Sequence, residues 1–181
     1  TRVRSSAASD VYKRQIVEKA TGEKLSDYVS RKLWTPMHAE ESALWSLDRK
    51  DGMEKAYCCF NSNARDFARF GQLLLNNGQW DDRQLISPAY LAEATSPDTR
   101  LVYKDLGKPN HCYGFQYWIL DYKGMKIPYM RGILGQYVFT LPEKNAVIVR
   151  LGHKRSDTYT ADQHYPDDIN TWLDAAMDLL Q

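Results

Sequence analysis

The chain of 181 residues predicts an α+β fold: an antiparallel β-sheet covered by a C-terminal helix and preceded by a mainly helical region. Two apolar runs rich in β-branched and aromatic residues, 137–141 and 146–151, flank Pro142-Glu143-Lys144-Asn145 and read as a β-hairpin. Ahead of them, Phe67, Phe70, Gly71 and Leu74 form a helical stripe. Behind them, Ile169, Trp172, Leu173, Ala176 and Leu180 share one helical face. Helices, then an antiparallel meander, then a closing helix is the element order of an α+β domain.

Taken in order, Ile16 to Thr21 reads as the end of a helix, with Gly22 at its C′ position. Leu25, Tyr28, Val29 and Leu33 recur at helical spacing until Pro36 stops them. Residues 37–60 are irregular, with Asp51-Gly52 as a turn signal. Asn63 can cap the next helix, with Asp66 three residues on supporting its N-terminus, and Asn77-Gly78 ends it. Ser87-Pro88 opens a short helix through about Ala94, with proline at its first position. A polar loop follows over 96–111. Tyr113 to Leu120 reads as a strand, Asp121 to Gly124 as a turn, and Met125 to Met130 as the return strand. The last helix starts at Pro166.

The leader Thr1 to Gln15 is small, polar and basic, and it switches abruptly at Ile16. It resembles a recurring tail at the broken ends of assembled environmental gene fragments. Residues 1–15 are therefore expected to be a non-native or disordered leader outside the fold, the plainer alternative being a flexible natural N-terminus. Because Ile16 begins in mid-element, an N-terminal part of the domain is expected to be missing. Residues 16–181 then divide into a mainly helical stretch, 16–111, and a sheet with its C-terminal helix, 112–181.

Composition narrows the function. With 24 basic and 23 acidic residues and no basic block, nucleic acid is not an expected partner, nor is an anionic membrane surface. No apolar run approaches the roughly 20 residues that span a bilayer. Twelve Tyr and five Trp suit a broad pocket or surface as well as a core. Cys58, Cys59 and Cys112 make no disulfide framework, and the adjacent pair reads as small buried filler. Cysteines and histidines show no metal-ligand spacing, so no metal or other cofactor is expected.

Gly132 and Gly135 bracket Ile133 and Leu134 just ahead of the hairpin. Two glycines so close in a strand interior indicate a bulge, or a place where a ligand meets bare backbone. Free N–H groups on a strand edge beside a cleft are what an oxyanion hole requires.

From Ile16 onward the chain resembles the serine β-lactamase and penicillin-binding-protein-like hydrolases. It is most similar to the β-lactamase-related group that includes esterases and 6-aminohexanoate-dimer hydrolase. The stretches that carry the resemblance are Ile16-Val-Glu-Lys-Ala-Thr-Gly22, Asn61-Ser-Asn-Ala-Arg-Asp-Phe-Ala-Arg-Phe-Gly71, Tyr113-Gly-Phe-Gln-Tyr-Trp118 and Arg131-Gly-Ile-Leu-Gly-Gln-Tyr137. None is diagnostic alone; their order and spacing are the stronger signal.

The resemblance implies a partial β-lactamase/transpeptidase-like fold and hydrolysis of an amide, ester or peptide through an acyl-serine, without a cofactor. The family chemistry uses Ser-x-x-Lys, then a Tyr-x-Asn type motif, then Lys-Thr-Gly or a variant on the sheet edge. No serine here has lysine three residues on, and no tyrosine has asparagine two residues on. Arg131-Gly132-Ile133 stands in the place of the third motif. The resemblance implies that the Ile133 N–H is an oxyanion donor, with Gly132 clearing space. Arg131 would offer a cation to a substrate carboxylate, or else form a salt bridge across the sheet. It further implies that Asn61 contacts a substrate amide, where the alternative is a turn-forming residue ahead of a helix cap. Trp118 and Tyr113 would line the acyl pocket or belong to the core.

Without nucleophile and lysine base, the chain alone is expected to be inactive. An unpaired strand edge is expected to promote self-association. Relatives are often exported, which implies a periplasmic or secreted location. The competing reading is a non-catalytic binding or interaction domain with an aromatic-rich surface.

Overall fold

The computed structural model describes residues 2–103, 107–161 and 164–180; the side chains of residues 2–11 and of residue 103 are outside this description. The chain forms two compact units, Thr1–Asp66 and Phe67–Gln181.

In the first unit, helix α1 spans Arg2–Thr21 and ends on Gly22, whose φ of 73° and 2.8 Å N–H bond to the Glu18 carbonyl make it the left-handed cap expected there. The helix runs from Arg2 across Ile16 without a break, so residues 2–15 are helical here. Arg14 is buried, 2.9 Å from Glu18 one turn on and 3.9 Å from buried Glu54. Helix α2, Leu25–Val29, passes into a single wider π-type turn over Ser30–Trp34 before Pro36. Glu54 Oε1 accepts from both the backbone N–H (3.1 Å) and the hydroxyl (2.5 Å) of Ser26, pinning the start of α2.

The stretch read as irregular holds a two-stranded ribbon, β1 (Leu44–Trp45) with β2 (Phe60–Asn61). Phe60 sits edge-on between Trp34 and Trp45, at 5.3 and 5.2 Å. Cys58 and Cys59 are not buried filler but a disulfide-bonded pair, Cys58 half-buried and Cys59 exposed. Their adjacent sulfurs meet at a turn where Cys59 takes a φ of 70°.

Helix α3, Ala64–Leu75, is capped as expected: the Asp66 N–H donates to Asn63 Oδ1 at 2.8 Å, and Asn63 Nδ2 donates back to Asp66 at 2.7 Å. Asp66 is fully buried and also accepts the Glu40 and Glu41 N–H groups, so it fastens the preceding loop to the helix start.

The second unit contains α3 from Phe67 onward and the remaining elements. The ribbons β3–β4 (Gln79–Trp80, Arg83–Gln84) and β5–β6 (Val102–Tyr103, Lys108–Pro109) enclose helix α4, Pro88–Ala94. Two-residue strands carry no readable alternation, so nothing in the sequence announces these three ribbons among the longer helices of 16–111.

Next comes a four-stranded antiparallel meander in the order β10-β9-β8-β7: β7 Trp118–Tyr122, β8 Met125–Arg131, β9 Gln136–Leu141 and β10 Ala146–Leu151. The strand expected from Tyr113 starts only at Trp118. Gly114 is pressed so closely on the Ala94 carbonyl that a Cβ there would lie 2.1 Å from its oxygen, and Gln116 takes a φ of 67°. The chain has to bend there. Lys123 and Gly124 both have positive φ, as a tight two-residue hairpin requires.

Strand β9 is buried on both faces. Tyr137, Phe139 and Leu141 join Tyr129, Ile127, Leu120 and Tyr122 in a core closed by Ile169 and Leu173 of helix α5, Asp168–Leu179. On the opposite face, a Cβ at Gly71 of α3 would lie 2.5 Å from Val147 and 3.3 Å from Val138, so only glycine lets that helix come so close. Helices therefore cover both faces of the sheet, the mixed α+β arrangement expected. Trp172 differs from the expectation: it is 43% exposed, about 100° round the helix from Leu173. Strands β7 and β10 each have one neighbour, so both edges of the sheet are unpaired within it. Among the described residues no helix is long and apolar enough to cross a membrane.

Phe139→Ala should cost about 3–5 kcal/mol, read as a lower urea midpoint, because the ring is fully buried against Tyr129 and Tyr137. Burial opposes ionisation of Glu54, but the Ser26 hydroxyl and backbone bonds, with Arg14, hold its carboxyl below the usual range. A depressed value stabilises the fold above the unfolded pKa and is lost as pH falls through the folded one. The stability gap between the native chain and Glu54→Gln should therefore close between about pH 5 and pH 3 in pH-dependent melts.

Candidate functional site

Gly132 to Gly135 form the hairpin loop between β8 and β9 rather than a bulge inside a strand. The Gly132 N–H donates to the Gln136 carbonyl at 2.7 Å, leaving Ile133, Leu134 and Gly135 as the loop. Gly135, at the end of the loop, has a φ of 81°, the left-handed residue a three-residue hairpin uses. No Cβ would fit there, since it would lie 2.0 Å from Arg150 Nη1 and 2.5 Å from the Lys154 carbonyl oxygen.

The loop is held from several sides. Gln136 Oε1 accepts the Leu134 N–H at 3.0 Å, while its Nε2 donates to the Gly152 carbonyl at 2.5 Å. Arg150 Nη1 and the Gly152 N–H both donate to the Gly135 carbonyl, at 2.5 and 3.1 Å. Arg155 Nε donates to the Ile133 carbonyl at 3.0 Å. Among the described residues nothing accepts a bond from the Ile133 N–H, and Ile133 is 78% exposed. The loop thus presents a backbone donor on a frame that other bonds keep still.

Arg131 is the last residue of β8. Its guanidinium lies 3.4 Å above the Trp118 ring, close enough for a strong cation–π contact. Nη1 donates to the His164 carbonyl at 2.9 Å, and Tyr159 flanks the group at 6.0 Å. The salt bridge across the sheet does not form among the described residues; the cation rests on an aromatic face instead. Nε and Nη2 have no intramolecular acceptor among the described residues. Trp118 and Tyr113 form a bridge pair across the β7 start, their rings 4.7 Å apart edge to face. Both are half-buried, so Tyr113, Trp118 and Arg131 make a contiguous polar–aromatic row.

The charge of Arg131 is felt below it. Burial raises the Tyr129 phenol and the Cys112 thiol, and in both Arg131 partly offsets the rise. Burial and the nearby Asp168 carboxylate push the Tyr137 phenol up to about 12. All of these groups stay protonated at neutral pH.

Asn61 belongs to the other unit, exposed on β2. Its Nδ2 donates to the Cys59 carbonyl at 2.9 Å, a local turn-stabilising bond, and its Oδ1 has no partner among the described residues. Arg150, Arg155 and Gln136 escaped sequence reasoning. Gln136 directly after Gly135 was the one available signal, because a side chain at the first strand position can reach back over its own turn. The arginines come from a strand and loop whose register shows only in three dimensions.

The Beta-lactamase family profile matches residues 1–169, and the chain belongs to that family. Over 140 residues it is 28% identical to the 6-aminohexanoate-dimer hydrolase of Paenarthrobacter ureafaciens, covering 75% of this chain and 35% of that one. A solved Bacillus anthracis structure assigned as a 6-aminohexanoate-dimer hydrolase superposes with a TM-score of 0.70 at 26% identity, covering 92% of this chain and 40% of that one. A Bacteroides dorei DSM 17855 structure assigned as a beta-lactamase shares the fold, with a TM-score of 0.60 at 15% identity; it covers 90% of this chain and 54% of that one. The chain thus spans well under two thirds of the length of these relatives.

Gly135→Ala should lower stability by about 1–3 kcal/mol in thermal unfolding, since the new methyl meets both a left-handed backbone and Arg150.

Proposed function

We propose that this chain is the C-terminal portion of a serine hydrolase that cleaves an amide or ester through an acyl-serine intermediate, and that it supplies half of the oxyanion hole. The observation that carries this reading is the exposed, unpartnered Ile133 N–H on a loop fixed by Gln136, Arg150 and Arg155. A tetrahedral intermediate places negative charge on the former carbonyl oxygen, and a donor that needs no reorganisation stabilises it most. In this reading the nucleophilic serine and its lysine base lie on a segment that this sequence does not contain, and the serine's own N–H is the second donor.

The other residues take supporting roles. Gly132 keeps the approach to the Ile133 amide free of a side chain. Arg131, with Nε and Nη2 unspent, offers a cation to an anionic group on the substrate. Trp118 and Tyr113 form the wall against which its apolar part lies. On the other unit, Asn61 Oδ1 is a candidate acceptor for an amide N–H. The substrate is a small molecule with an amide, ester or peptide bond, and no cofactor enters. The unpaired edges of β7 and β10 make self-association of the chain the companion expectation.

The test uses a p-nitrophenyl ester. The 181-residue chain should show no turnover, and the chain joined to its Ser-x-x-Lys-bearing segment should show turnover abolished by a serine-directed inhibitor. In that longer protein Ile133→Pro, which removes the N–H, should lower kcat by on the order of 10²–10³. Arg131→Ala should raise KM for a carboxylate-bearing substrate and not for a neutral one. Unchanged kcat in Ile133→Pro would remove the oxyanion role. A full-length protein with no nucleophile would leave the non-catalytic binding domain in its place.

A further inference from the structure

We propose that Cys58–Cys59 is a thiol–disulfide exchange site for low-molecular-weight thiols, and that its state sets where the Asn61 side-chain amide points. The chemistry does not depend on the acyl-enzyme reading, since it needs only the bonded pair and its surroundings. Cys59 is exposed and Cys58 half-buried, so the pair is open to an external thiolate. That thiolate attacks the Cys59 sulfur, the S–S bond breaks, and Cys58 leaves as a thiolate that takes up a proton. A second thiol resolves the mixed disulfide. In total the protein disulfide and two thiols give two protein thiols and one small disulfide.

Opening the pair changes what the backbone must do. Cys59 holds a φ of 70°, a conformation that side-chain-bearing residues rarely adopt. While the disulfide closes its ring of atoms, the turn cannot leave this conformation; once the bond is cut, the constraint is gone. The Cys59 carbonyl accepts from the Ser46 N–H at 3.0 Å and from Asn61 Nδ2 at 2.9 Å, and the Cys58 carbonyl accepts from Trp45 Nε1 at 3.1 Å. Phe60, gripped between Trp34 and Trp45, anchors the next residue, so the movement falls on Cys58 and Cys59. When the Cys59 carbonyl swings away, the Asn61 amide loses its short bond and keeps only the 3.5 Å one to the Leu44 carbonyl, so its aim shifts.

Cys112 provides an internal control, because it is buried and its thiol is pushed up by that burial. In native protein purified without reductant, iodoacetamide should label neither Cys58 nor Cys59; after dithiothreitol it should label both, with Cys112 reacting only on unfolding. By NMR, reduction should speed exchange of the Ser46 amide several-fold and shift the Asn61 side-chain amide pair, while Val138 in the sheet keeps its protection. A Cys59→Gly variant accepts positive φ without a disulfide, so it should retain Ser46 protection with or without reductant. Labelling of both cysteines before reduction would overturn the proposal. So would a Ser46 amide and Asn61 pair indifferent to reduction, or loss of Val138 protection along with them.

Discussion

Burial of strand β9 on both faces is the constraint on which the second unit depends. Tyr137, Phe139 and Leu141 lock into the aromatic core under α5, while Val138 faces the side approached by Gly71. A strand packed on both faces cannot slip by one residue without turning every side chain to the wrong layer. Its register therefore fixes where β8 must end, and Ile133 to Gly135 have to close the gap in three loop residues. The position of the candidate donor follows from packing, even though Ile133 itself packs against little.

That division of labour has a chemical consequence. A donor that is to meet a developing charge must be held firmly and yet left without a partner, two demands that ordinary folding sets against each other. Here the neighbouring groups carry the fastening: the Ile133 carbonyl is bound by Arg155, the Leu134 N–H by Gln136, and the Gly135 carbonyl by Arg150 and Gly152. Arg131 is arranged on the same principle. Its flat face is committed to Trp118 and one nitrogen to His164, which orients the group and leaves Nε and Nη2 without an acceptor among the described residues. The chain covers 35–40% of the length of its two hydrolase-described relatives.

Much of the fold was legible in the residues. The 146–151 strand and the Asn63 cap appear where expected, as do the Pro142–Asn145 connection and the Gly22 and Asn77-Gly78 helix ends, where Asn145, Gly22, Asn77 and Gly78 take the left-handed conformation few residues accept. Strand beginnings were less legible. Tyr113 looks like strand by composition, and only the nearness of Ala94 to Gly114 shows that the chain must bend. The two-residue ribbons leave no pattern to read, and the helix through residues 2–15 has no apolar stripe to announce it. At the candidate site the glycines were visible but their geometry was not: a hairpin loop and an interior bulge share the same letters. The arginines that hold the loop could not be read at all, since what selects them is their place across the sheet.

Amide hydrogen exchange on the chain itself tests the central claim most directly. The Ile133 amide should exchange at nearly the rate of an unstructured peptide, while Gly132 and the β9 amides that flank it in sequence stay protected. Protection of Ile133 equal to that of Gly132 would mean that its N–H is already committed within the fold, and the donor role would have to be abandoned.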